Sequence, residues 1–72
     1  MTSGQMYELA RNAVAAAAGV TKEEVTILWV GGVMEDRRAV AWCGMKLYMV
    51  RHDPIDEETT VDAYVKEAAG SV

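Results

Sequence analysis

The 72-residue chain predicts an α+β fold. An N-terminal helix leads into an antiparallel sheet of two long or three shorter strands, and a C-terminal helix follows. Dimerisation completes this arrangement. Three observations carry the reading. Apolar residues recur with a helical period between Met6 and Ala18. Residues 25–30 form a β-branched and aromatic run too short for a helix. Residues 39–50 are apolar except at Gly44 and Lys46, and a compact domain must fold that stretch into strands.

The first helix is expected over residues 3–18. Thr2 and Gln5 have the spacing of a capping box, in which each side chain satisfies the other's free backbone N–H. Met6, Leu9, Ala10, Ala13, Val14, Ala17 and Ala18 then fall on one face. The alanines favour the helix while adding little bulk, so a neighbouring backbone can approach closely. Gly19 stands where a left-handed residue ends a helix. Thr21 and Glu24 repeat the capping spacing and predict a single helical turn before the strand.

A first strand is expected over residues 25–31, or as far as 34. Gly31 and Gly32 fit either a turn or a bulge within it, and the polar tetrad from Glu35 to Arg38 is the better turn candidate. A second strand region covers 38–51. One straight strand of that length would run about 46 Å at roughly 3.3 Å per residue. A compact chain of this size has a radius of gyration near ~11 Å and a diameter of roughly 30 Å. Two solutions remain: a turn at Gly44-Met45, where a leading glycine suits a type II′ hairpin, or a bend at Gly44 with an overhang that recruits another strand. The last helix is expected over 54–69, with Asp53 as cap, Pro54 in the first turn and Asp56, Glu57 and Glu58 at the positive end of the helix dipole.

Size and charge narrow the function. Net charge is −4 and 51% of residues are hydrophobic, which is rich for a chain with so much surface. A single cysteine excludes an internal disulfide. The longest apolar run, residues 13–18, is far short of the roughly 18 residues a membrane span needs. Only Arg11 precedes it as a positive charge, so a secretory signal is not expected and a cytoplasmic protein is.

Cys43 is the one thiol and His52 the one imidazole. A continuous strand would part them by about 30 Å and a hairpin by about 20 Å, so neither arrangement makes a nucleophile pair within one chain. Cys43 reads as a small apolar residue. His52, Asp53, Asp56 and Glu57 resemble oxygen-rich metal ligands, but helix capping accounts for the carboxylates. No phosphate-binding glycine loop is present, because Gly31-Gly32 lacks the following Lys-Ser/Thr. No metal, cofactor or catalytic residue is expected. If the chain is enzymatic, its site is shared across an oligomer interface.

Three binding readings remain. Helix, three strands and helix is the element order of double-stranded RNA-binding domains, and Arg37, Arg38, Lys46 and Arg51 lie in the sheet region. Against it, the turn that would meet phosphate carries Asp56, Glu57 and Glu58. Self-association is the second reading, through Trp42, Met45, Tyr48 and Met49, residue types enriched at interface cores. The third concerns the acidic last helix. Asp56, Glu57, Glu58 and Asp62 would dock onto a basic protein surface, as in inhibitors or regulators that present carboxylates in place of phosphates. A small protein-binding module, homodimeric and without a membrane role, is the expectation.

Overall fold

A computed structural model describes residues 1–64. The helix α1 spans Ser3–Ala18, and a single 3-10 turn at Lys22–Glu24 follows. Four strands then run in order: β1 (Thr26–Val33), β2 (Asp36–Cys43), β3 (Lys46–Asp53) and β4 (Glu58–Tyr64). They form one antiparallel sheet whose spatial order is the chain order. The fold is α+β, with the helix on one face of the sheet.

The helix forms where its local signals place it. Thr2 Oγ1 accepts from the Gln5 N–H at 3.1 Å, and the Thr2 N–H donates to Gln5 Oε1 at 2.8 Å. Gly19 ends it in the left-handed conformation at φ 74°, donating to the Ala15 carbonyl at 2.9 Å. Met6, Ala10 and Val14 are fully buried. They pack on Ala39, Ala41, Tyr48 and Val50 from the inner strands, with Cys43 and Val25 closing the core. Alanines on both sides, Ala10 on the helix and Ala39 and Ala41 on β2, let the helix lie close to the sheet. The match in length is good: 16 helical residues span about 24 Å and eight-residue strands about 26 Å.

The stretch 38–51 is a hairpin. Trp42 pairs with Leu47 and Cys43 with Lys46, leaving Gly44 and Met45 as a two-residue turn. Both have positive φ, 58° and 67°. That is the type I′ signature rather than the expected type II′, and it matches the right-handed twist of the flanking strands. The overhang does not occur. The radius of gyration is 12.4 Å.

Two expectations need correction. Gly31 and Gly32 lie inside β1 and pair with Arg38 and Arg37, so the first turn is Met34-Glu35 and Asp36 already belongs to β2. The irregularity in β1 falls at Leu28, between Ile27 and Trp29. The larger correction concerns the expected helix at 54–69. Asp53 Oδ1 does accept from the N–H groups of Ile55 and Asp56, at 2.9 and 3.3 Å, as a helix cap would. Glu57 then adopts φ 56° and reverses the chain, and Glu58–Tyr64 continues as a strand along β3. An Asx turn and a helix cap share the same first bonds, and the edge of β3 provides the partner that decides between them. The remainder of that expected helix, 65–69, lies outside the described residues.

Candidate functional site

The strand pairings sort the sheet's side chains into two faces. On the helix side of the sheet, Ala39, Val50 and Val61 share one row, and Ala41, Tyr48 and the exposed Ala63 the next. His52 is also on this side, and its Nδ1 lies 2.8 Å from the Thr59 hydroxyl of the opposite strand. That bond satisfies one ring nitrogen of a buried histidine.

Among the described residues nothing covers the other face. Its side chains form four rows across the strands. The first holds Thr26, Trp42, Leu47 and Tyr64, and the second Trp29, Val40, Met49 and Asp62. The third holds Gly31, Arg38, Arg51 and Thr60, and the fourth Val33, Asp36, Asp53 and Glu58. One half of the face is therefore apolar and the other half charged. Trp29 and Tyr64 are 51% and 61% exposed, and Trp42 and Met49 are about two-fifths exposed. A β-carbon at Gly31 would overlap the Trp29 indole, so that ring packs directly against the glycine. Between β3 and β4 a shallow apolar groove of about 350 Å³ is lined by Val40, Leu47, Met49 and Tyr64 of this face, with Asp62 at its side, and by the intervening Tyr48 and Ala63.

The charged half is internally paired. Asp36 Oδ2 accepts from Arg38 Nη2 at 2.7 Å and Nε at 3.1 Å, and from Arg51 Nη2 at 3.4 Å. Hydrogen bonding to Arg38 holds the Asp36 carboxyl below its ordinary value; desolvation opposes the shift, and the hydrogen bond from Arg51 adds to it. The same bond raises the Arg38 guanidinium. An NMR titration is expected to find Asp36 ionising below the ordinary aspartate value of about 3.9. A carboxyl lowered by folding stabilises the protein above that ordinary value, and the contribution is lost as pH falls through the lower folded one. Asp36→Asn should therefore flatten the acid limb of the stability curve below about pH 4. A normal midpoint for Asp36 would contradict the pairing.

The structure brings together only some of the residues expected to act jointly. Trp42 and Met49 share the open face, with Trp29, Leu47 and Tyr64 beside them. Tyr48 does not; it is 7% exposed beneath the helix. Met45 stands at the tip of the β2–β3 turn, 84% exposed. Residue type alone groups Tyr48 with the others, and the two-residue turn is what places it on the helix side. Even positions face outward along β2 and odd positions along β3, so parity read straight through Gly44 assigns β3 to the wrong face.

The acidic residues are not on a helix face either. Asp56 and Glu57 sit in the β3–β4 turn, Glu58 opens β4, and Asp62 lies two rows away beside Met49. The cations are dispersed. Arg38 and Arg51 are tied to Asp36, Arg37 pairs in register with the buried His52, and Lys46 flanks the other hairpin tip. Cys43 is buried at the opposite end of the hairpin from His52, about 20 Å away at roughly 3.3 Å per residue. Among the described residues no group of three His, Cys, Asp or Glu side chains is placed to hold a metal ion. Within the same residues no helix is long and apolar enough to cross a membrane.

The chain matches no protein-family model, no curated protein and no solved structure.

Proposed function

We propose that this chain is a small non-catalytic protein-binding module, an inhibitor or regulator, that uses two surfaces. The first is the apolar half of the open sheet face. The second is the acidic β3–β4 turn, where Asp53, Asp56, Glu57 and Glu58 gather within six residues. The observation that carries the reading is the face that no described residue covers, with two tryptophans, a tyrosine, a leucine and a methionine in two adjacent rows. Aromatic residues and methionine at this density are characteristic of interface centres. The acidic turn supports a partner of opposite charge, since charges at an interface rim steer association and select partners.

A nucleic-acid surface is the competing reading, because aromatic side chains on an open sheet can stack on bases. Charge weighs against it. The only two arginines on that face share a carboxylate, Asp62 lies within the aromatic rows, and net charge is −4. Binding to a phosphate backbone draws its affinity from cations that release counterions.

At low salt the protein is expected to flow through immobilised heparin and single-stranded DNA. Retention that falls with added salt would replace this reading with the nucleic-acid one. With a captured partner in hand, the double substitution Glu57→Lys, Glu58→Lys should weaken binding at least tenfold at low ionic strength. Unchanged binding would remove the acidic turn from the interface.

A further inference from the structure

We infer that the apolar half of the open face is occupied by a second copy of this chain, packed sheet on sheet about a two-fold axis running across the strands. This rests on the reading of that face as an interaction surface and assigns its occupant. The juxtaposition that carries it is the segregation of the face into apolar and charged rows.

A face-to-face dimer has two simple symmetric arrangements with strands aligned to within about 30°. With the axis along the strands, each row meets the same row of the second copy. Arg38 then opposes the other copy's Arg51, and Asp36 opposes its Asp53, each contact occurring twice. Like charges placed opposite one another at an interface are repulsive. With the axis across the strands, the direction of the rows is reversed while each strand still faces its own counterpart. The first row then lies on the second row of the other copy.

The contacts in that arrangement are complementary. Trp42 meets Val40 of the second copy, Leu47 meets its Met49, and Thr26 meets its Trp29. Asp62 is the only charged residue in the two apolar rows. It faces Tyr64 of the second copy, whose phenol can donate to it. The Arg38 and Arg51 row passes beyond the other copy's first row and lies beside its Met45, the exposed turn residue. The acidic turns point to opposite ends, where their charges do not meet.

The size of this contact sets its strength. Four strands at about 4.8 Å spacing and three row intervals of about 6.7 Å give roughly 400 Å² of flat area per copy. The total of about 800 Å² lies below the roughly 1,200–2,000 Å² of stable specific interfaces, in the range of weak, transient contacts. The dimer is therefore a weak one that populates only at high protein concentration.

Light scattering from about 10 to 500 µM tests the proposal, with circular dichroism confirming that each variant is folded. The wild type should pass from monomer to dimer, and Trp42→Asp should remain monomeric throughout. Met45→Glu should tighten the dimer about two- to fivefold at low ionic strength by facing Arg38 and Arg51 of the other copy, while Met45→Lys weakens it. Weakening by both Met45 variants would indicate the axis along the strands and overturn the proposal. A dimer unaffected by Trp42→Asp would indicate pairing of strand edges and overturn it too. A wild type that stays monomeric at 500 µM would overturn the second copy as occupant. The protein-binding reading would survive that result if a captured partner were lost with Trp42→Asp, and would fail with it if capture were unchanged.

Discussion

Replacing Gly32 with alanine is expected to lower the unfolding free energy by about 2–4 kcal/mol, combining backbone strain with overpacking. Gly32 sits in β1 at φ 101°, a conformation that side-chain-bearing residues rarely adopt. A β-carbon there would overlap the Asp36 carbonyl oxygen and approach the Arg37 Cα at 3.0 Å. Both obstacles are backbone, so no side chain can swing aside. The loss would be a large part of the roughly 4–11 kcal/mol available to a domain of this length. Gly44 is the control. It also has positive φ, 58°, but a β-carbon there meets nothing within 4 Å. Gly44→Ala should cost only about 1 kcal/mol, the conformational penalty alone. Equal losses at the two positions in urea titrations would show that the close approach at Gly32 does not exist.

Met6→Ala is expected to cost about 2–5 kcal/mol, the range for emptying a fully buried long side chain. Met6 is one of the largest side chains with no exposure, and the surfaces opposite it are rich in alanine. Alanines cannot extend to fill the space, so most of the cavity would persist. Met49→Ala removes the same atoms from the open face, where the side chain is 41% exposed. Its cost to a monomer should stay below about 1 kcal/mol. Comparable losses at both methionines would mean that Met49 is buried as deeply as Met6 and that the second face of the sheet is covered in the monomer.

The parts of the fold that were legible in the sequence rest on short-range physics. The capping pair Thr2 and Gln5, the stripe through Met6, Ala10 and Val14, and the terminator Gly19 all act within a few residues, and each is found in place. The hairpin at Gly44 was legible for a different reason. A strand of 14 residues cannot fit a domain of this volume, so a length argument narrowed the answer to a turn there or an overhang. The last helix was misread because Asp53-Pro54 and the acids after it begin a helix and an Asx turn alike. What separates them is the open edge of β3, a tertiary fact. Thr59, Thr60 and Val61 carried the contrary signal, since three consecutive β-branched residues favour a strand.

The candidate site was legible in part. Trp42 and Met49 were singled out by residue type and do share the open face. Trp29, Leu47 and Tyr64 were missed because joining them requires knowing the register of three strand pairs. One residue of slip, or the choice between a two-residue turn and a continuous strand, sends a side chain to the other face. Tyr48 is the example. The bulge at Leu28 has the same effect in β1, where it keeps Ile27 beneath the helix and turns Trp29 outward two residues later.

Because spatial order follows chain order in this sheet, each strand finds its partner across a turn of two to four residues. Closing such short loops costs little chain entropy, and folds dominated by local contacts reach the native state quickly. The helix is made first but docks on strands that begin some twenty to forty residues after its own start. As the chain emerges from a ribosome, the stripe through Met6, Ala10 and Val14 has only β1 to pack on until β2 and β3 have zipped together. The β2–β3 hairpin is thus the step that ends the helix's exposure, and changes to Gly44 or Met45 should register first in the rate of folding.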